Sequence, residues 1–132
     1  MTLVDSNVLL DVMTKDPVWL DWSVEALDKQ TAAGRLYANE VVYAELAVKL
    51  DSEAALDESL RVLRTAFMPI PKSACFLAGK IFGRYRAAGG LRTSNLPDFF
   101  IGAHAQVAQL AILTRDPRRY RTYFPDVRLI AP

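Results

Sequence analysis

Apolar and polar positions fall in short blocks along the chain, and the blocks change period. Thr2 to Val4 is a brief apolar run of the kind that forms a fully buried strand. Asn7 to Met13 follows helical spacing, with Val8, Leu9 and Val12 on its apolar side. Pro17 opens a longer helix to about Ala33, and Gly34 stops it. Leu36 to Ala38 reads as a second strand. Asn39 can cap a helix that runs to Leu50 through Val42 and Leu46. Asp51 or Ser52 starts another, through Leu56, Leu60 and Leu63. A strand is expected at Met68 to Ile70, between Pro69 and Pro71. Ser73 to Ala88 is helical, with Phe76, Leu77, Ile81 and Tyr85 apolar, and Gly89-Gly90 break it. A loop through Ser94-Asn95 leads to Pro97, suited to a first helical position, and that helix reaches about Gln109. Ala111 to Leu113 is the next strand, Arg118 to Tyr123 a short helix, and Val127 to Ile130 the last strand.

Strands alternating with helices predict an α/β fold around a parallel sheet covered on both faces. At 132 residues, without repeats or a linker, the chain reads as one domain, 1–132. Apolar residues make up 52% and charged residues 23%, as in ordinary globular proteins, and no stretch is long and apolar enough to span a bilayer. The single cysteine, Cys75, excludes an internal disulfide, and with no basic leader in view the expected location is the cytoplasm. A net charge of +1 gives no general argument for nucleic acid, but five arginines against two acids lie between Arg115 and Arg128, and Arg84, Arg86 and Arg92 form a second cluster.

The chemistry rests on four acids far apart in sequence: Asp5, Glu45, Asp98 and Asp116. Asp5 and Asp116 end or follow predicted strands; Glu45 and Asp98 lie near the starts of helical patterns. In an open parallel sheet the strand ends and the helices behind them form one crevice, where ligands bind. Carboxylates gathered there repel one another unless a hard cation such as Mg²⁺ or Mn²⁺ neutralises them, which points to metal-assisted chemistry on a phosphate ester. One histidine and one cysteine cannot form a zinc set, a Ser-His-Asp triad is not credible around one helical histidine, and no glycine-rich phosphate loop precedes a lysine.

Each acid has a structural alternative. Asp5 could cap the following turn, Asp98 could favour a helix dipole, Glu45 could be solvated, and Asp116 before Pro117 could form a turn; it is the set that favours the metal role. Asp11, Asp21, Glu25, Glu40 and the acids from Asp51 to Glu58 read as solvated faces. Ser6 and Asn7 beside Asp5, and Thr114 near Asp116, could hydrogen-bond a carboxylate. Arg92, Arg115, Arg118 and Arg119 are candidates for phosphate contacts. His104, six residues after Asp98, is on another face of its helix and reads as structural. Trp19 and Trp22 read as core or partner-facing.

The segment Val4-Asp5-Ser6-Asn7-Val8-Leu9-Leu10-Asp11 resembles the opening of PIN-domain ribonucleases. Val42-Tyr43-Ala44-Glu45-Leu46, the run from Leu96 to Ala105 around Asp98, and Leu113-Thr114-Arg115-Asp116 with Tyr120 and Phe124-Pro125 resemble their second, third and fourth segments, in order. Ser6 stands where many relatives carry threonine, another hydroxyl. The resemblance covers nearly the whole chain and is closest to VapC toxins of bacterial type II toxin–antitoxin pairs. It implies a three-layer α/β/α sandwich with a central, mostly parallel sheet, and a Mg²⁺- or Mn²⁺-dependent endoribonuclease whose metal and catalytic residues are Asp5, Glu45, Asp98 and Asp116. It also implies an RNA substrate, a cognate antitoxin and a homodimer, possibly in a higher assembly. Two other classes stay open from the residues: a non-catalytic module holding a basic peptide in its acidic pocket, and, less favoured because Asp5-Ser6-Asn7 lacks a second acid, a phosphotransfer receiver or phosphohydrolase.

Overall fold

A computed structural model describes residues 1–90 and 95–132. Among them five strands form one sheet in the order β3-β2-β1-β4-β5, and every ladder is parallel. β1 (Thr2–Val4) and β4 (Ala111–Leu113) form the centre, each wholly buried. β2 (Leu36–Ala38) and β3 (Thr65–Phe67) extend one side and β5 (Leu129–Ile130) the other. α1 (Ser6–Met13) and α2 (Leu20–Ala33) connect β1 to β2; α3 (Glu40–Ala47) and α4 (Glu53–Val62) connect β2 to β3. α5 (Lys72–Ala87) and α6 (Leu96–Ala108) carry the chain back across to β4, and α7 (Arg118–Tyr123) leads to β5. The expected α/β/α sandwich is therefore present. Among the described residues no helix is long and apolar enough to cross a membrane.

The chain leaves β1 towards β2 but leaves β4 towards β5, so the connections part between the two central strands. That parting opens a crevice at their carboxyl ends, the usual ligand position in such sheets. The buried Leu3, Val4, Ile112 and Leu113 anchor its floor.

Element ends differ from the sequence pattern for local reasons. β3 is Thr65–Phe67, three residues before the expected Met68 to Ile70. The Met68 amide still donates to the Ala38 carbonyl at 2.9 Å, but Pro69 has no N–H with which to continue the ladder. Ile70 bonds instead to the Glu40 side chain, at 2.9 Å. α2 begins at Leu20 rather than Pro17, because Asp16 Oδ1 accepts from the Val18 and Trp19 amides and holds a turn there, each at 2.9 Å. α3 stops at Ala47, short of Leu50, and β5 keeps only Leu129–Ile130 of the expected Val127 to Ile130. Asn39 and Ser52 cap α3 and α4 as their chemistry suggests, accepting from Val42 and Ala55. Gly34 closes α2 in an extended conformation and leaves room for the Met1 backbone, 3.2 Å from where a Cβ would stand.

Gly102 faces Phe124 on α6, where a Cβ would come within 2.2 Å of the ring. Phe124 is fully buried, with its ring centroid 6.3 Å from that of Phe99, so the ring has little room to retreat. Gly102→Ala should cost about 1–3 kcal/mol of stability through overpacking. The reading is a lower denaturant midpoint with an unchanged slope; an unchanged midpoint would mean that the ring relaxes freely.

Candidate active site

Asp5 leaves the end of β1 and Thr114 the end of β4, side by side at the parting of the connections. Asp5 occupies the N-cap position of α1, but its side chain makes no capping bond and turns inward, 6% exposed. Thr114 Oγ1 donates to Asp5 Oδ2 at 2.9 Å, and the Tyr120 hydroxyl donates to the same oxygen at 3.0 Å. The Thr114 hydroxyl in turn accepts from Asn7 Nδ2 at 3.3 Å and from the Asp116 amide at 3.1 Å. Burial pushes the Asp5 carboxyl up to about 6; the Thr114 and Tyr120 bonds pull against this, while the charges of Asp98 and Glu45 add to it. With the neighbouring carboxylates, burial also holds the Tyr120 phenol well above its ordinary range.

Glu45, half-buried on α3, accepts from the Ser6 hydroxyl at 3.1 Å. Its pKa is raised, first by burial and then by Asp98. Asp98 lies in the first turn of α6 and is ion-paired with Arg119 of α7. Burial still raises its pKa, the Arg119 guanidinium recovering only part, with Asp116 adding a further upward push. Asp116 stands more apart: its side chain is 54% exposed and pairs with Arg118 at 3.0 Å, which holds its pKa low.

Three of the four acids, Asp5, Glu45 and Asp98, are thus brought within electrical reach of one another from three elements, and Asp116 reaches Asp98 alone. The set is all-oxygen and electrostatically strained, which suits a hard divalent cation. Among the described residues, however, no three acidic, histidine or cysteine side chains close into a ligand group. The Arg119 guanidinium already neutralises Asp98.

The secondary candidates support the acids. Ser6 holds Glu45, Asn7 and Thr114 hold one another, and the Arg115 amide donates to Asn7 Oδ1 at 3.2 Å. Asp11 is not solvated as the sequence suggested; it is 2% exposed and accepts from Ser23 Oγ at 2.7 Å. Arg115 Nε lies 2.8 Å from Asp11 Oδ2 without its N–H aimed there, so the contact is an ion pair rather than a directed hydrogen bond. The guanidinium also lies over Trp19, 5.2 Å from the ring centroid. Arg115 therefore fastens the loop after β4 onto α1 and α2. Arg92 lies outside the described residues.

His104 is wholly buried away from these acids. Asn39 Oδ1 accepts from the Val42 amide, so Asn39 Nδ2 is the donor to His104 Nδ1 at 3.1 Å, and the proton of the neutral ring sits on Nε2. Burial lowers its pKa. Tyr120 is the member of this cluster that the sequence pattern leaves without a role. Its only signal is its place in the fourth motif, 115 residues from Asp5.

The family model described as PIN domain matches residues 2–125, and the chain belongs to that family. PIN domains are generally nucleases that use divalent metal ions. No curated protein matches the chain. Solved structures share the fold at low identity. VapBC2 from Rickettsia felis, bound to a DNA fragment from its promoter, aligns with TM-score 0.74 and 16% identity over 98% of this chain and 97% of that one. FitAcB from Neisseria gonorrhoeae aligns at 0.70 and 22%, over 98% and 96%. DNA-bound VapBC from Salmonella typhimurium aligns at 0.68 and 18%, over 98% and 96%.

A carboxylate whose folded pKa is raised binds its proton more tightly in the native state, so it destabilises the fold at neutral pH, and the penalty fades as pH falls through the raised value. Glu45→Gln removes one such charge and keeps an oxygen for Ser6. In EDTA at pH 7.5 it should raise the melting temperature, and the gain should shrink as pH falls through the raised value and the wild-type carboxyl takes up its proton. A wild-type site that binds a divalent ion should gain about 2.7 kcal/mol at a hundred times its dissociation constant, and Glu45→Gln less. A variant melting below wild type in EDTA, with a full response to the ion, would show that Glu45 is not part of a strained site.

Proposed function

We propose that this PIN-domain chain is a metal-dependent endoribonuclease and the toxin of a toxin–antitoxin pair. The observation that carries the reading is the convergence of Asp5, Glu45 and Asp98 from β1, α3 and α6 on the β1/β4 crevice, each with a pKa raised in part by another of the three or by Asp116. A phosphodiester is anionic and resists attack by water; a bound Mg²⁺ or Mn²⁺ supplies charge neutralisation there and acidifies water.

The chain's own residues prepare that chemistry. Thr114 and Tyr120 both bond Oδ2 of Asp5, so its other oxygen would be free to help hold the ion. Ser6 bonds Oε1 of Glu45 and leaves Oε2. Asp98 would join them in holding the ion, and Asp116, more exposed and paired with Arg118, would contribute less. Arg119, about one-third exposed beside Asp98, can share its charge with a phosphate oxygen. The buried floor of β1 and β4 keeps these groups fixed while the ion and substrate arrive.

The solved structures that share this fold include toxin–antitoxin complexes, which favours an antitoxin partner. The surface with the right character lies along α4, where it faces α2 and α1. Leu56 and Leu60 of α4 are core. Val62 is 63% exposed, and with Leu63 it lines two adjoining cavities of about 330 and 230 Å³. Exposed apolar surface of this kind marks partner sites. A homodimer is expected as well.

Asp5→Asn, Glu45→Gln and Asp98→Asn should each reduce RNA cleavage by about a hundredfold or more, because each removes a negative ligand from a site that works by charge neutralisation. Asp116→Asn should be milder. EDTA should abolish cleavage, and Mg²⁺ or Mn²⁺ should restore it. Wild-type rates in Asp98→Asn, or in EDTA, would overturn the reading. Val62→Asp, on an exposed position, should leave cleavage intact and weaken neutralisation by the antitoxin about tenfold or more; undiminished neutralisation would place that surface elsewhere.

A further inference from the structure

The helical pattern puts Phe76 with Leu77, Ile81 and Tyr85 on the apolar side of α5, yet Phe76 is 70% exposed. Its ring stands in solvent with Lys80 Nζ 5.3 Å from the centroid. The helix around it has an unusual charge. α5 carries Lys72, Lys80, Arg84 and Arg86 and no acid. All four cations are exposed, and among the described residues none takes part in an ion pair. Ala74, Ala78 and Ile81 are buried on the other side of α5, which packs against α6. At about 100° per residue, the four cations and Phe76 fall within one half of the helix circumference.

Gly79 and Gly83 run between the cations on that same face. A Cβ at either position would meet nothing within 4 Å. Glycine inside a helix weakens it, and nothing inside the protein requires it here. What it leaves is bare backbone that an outside chain can approach closely.

The face has a direction. Asn95 Nδ2 donates to the Tyr85 hydroxyl at 2.6 Å, and the Tyr85 ring centroid is 5.2 Å from that of Phe99. The carboxyl end of α5 therefore lies beside the first turn of α6, which holds Asp98. Arg84 and Arg86 are at the site end, and Lys72 is about 18 Å further out along the helix.

We propose that the exposed face of α5 is the track along which a single-stranded RNA enters the carboxylate site, with its phosphates on Lys72, Lys80, Arg84 and Arg86 and a base on Phe76. The inference rests on the ribonuclease reading above. Unpaired cations beside an open aromatic are the chemistry of sequence-tolerant strand binding. The carboxylate site, itself repulsive to phosphate, needs cations nearby to hold an anionic strand. A second copy of this chain is disfavoured as occupant, since α5 against α5 opposes like charges.

The test is binding of a labelled, unstructured RNA in EDTA, by anisotropy across a KCl series, so that no cleavage occurs. Compared with wild type, K72Q/K80Q/R84Q/R86Q should bind about tenfold or more weakly at low salt. Its slope of log affinity against log salt should be shallower by roughly 0.7 for each phosphate that is no longer neutralised. F76A should bind about fivefold or more weakly at an unchanged slope, as removal of a stacked ring would. K72R/K80R/R84K/R86K should keep the wild-type slope, and equal melting temperatures exclude misfolding. A quadruple variant with wild-type affinity and slope overturns the proposal; so does one whose only change is in self-association or antitoxin binding. Cleavage is scored separately with Mg²⁺. A chain that binds through α5 but cleaves no RNA defeats the ribonuclease reading and not the track, and a nuclease whose salt slope ignores the four cations defeats the track alone.

Discussion

A carboxylate buried at the centre of a parallel sheet is the constraint around which this structure is arranged. Taking an ionised Asp5 out of water is costly unless donors meet it. Thr114 and Tyr120 do so, and both arrive from far along the chain, by way of β4 and α7. Meeting Asp5 therefore requires β4 beside β1 and α7 folded back across their ends. The same hydroxyl of Thr114 fixes Asn7 and the Asp116 amide. One buried charge thus ties the first strand, the first helix and the loop after β4 together. The donors stop short of full compensation, since the Asp5 pKa remains near 6. Incomplete compensation is what a cation site needs; a fully satisfied carboxylate would have little to gain from an ion.

Strand and helix existence was legible because each depends on local pattern: apolar runs for buried strands, spacing of about 3.6 residues for helices. Asp5, Asp98 and Asp116 drew attention because each lies at or beside an element end, whereas Glu45, inside α3, did so only as one of a set. The slip of β3 shows where local reading fails. Met68-Pro69-Ile70 is apolar and β-like in composition, but pairing needs consecutive N–H donors, and proline interrupts them. Asp11 failed differently. Its place on α1 gave no hint that Ser23 and Arg115 would close over it, because those contacts span 12 and 104 residues. Tyr120 carried no role, and Arg119 no carboxylate partner, for the same reason. Partner identity is a property of the packed molecule and leaves no trace in periodicity.

Arginine accounts for much of what the carboxylates do without an ion. Arg119 neutralises Asp98, Arg118 neutralises Asp116, and Arg115 neutralises Asp11. The three pairs are not equivalent. Asp11 is buried beneath a guanidinium that also lies on Trp19, a fixed arrangement suited to structure. Asp116 with Arg118 is largely exposed, and such pairs contribute little to stability. The Asp98–Arg119 pair is intermediate, with each side chain about one-third exposed. On the proposed function it is the exchangeable member: dry enough for the charge of Asp98 to matter, and open enough for the guanidinium to give way to an ion and turn towards a phosphate.

The near-neutral balance of the whole chain conceals a separation of charge. The acids that matter gather at the carboxyl ends of β1 and β4, while α5 carries four cations and no acid. A net charge of +1 averages these away, so composition alone gave no argument for nucleic acid. On the ribonuclease reading the separation matters physically, because a site made of carboxylates repels an anionic strand. A cation in the crevice offsets that repulsion only over short distances, within a Debye length of about 8–10 Å at ordinary salt. Holding a strand beyond that range falls to side chains, and the exposed cations of α5 extend outward from the Asp98 end of the site along the length of a helix.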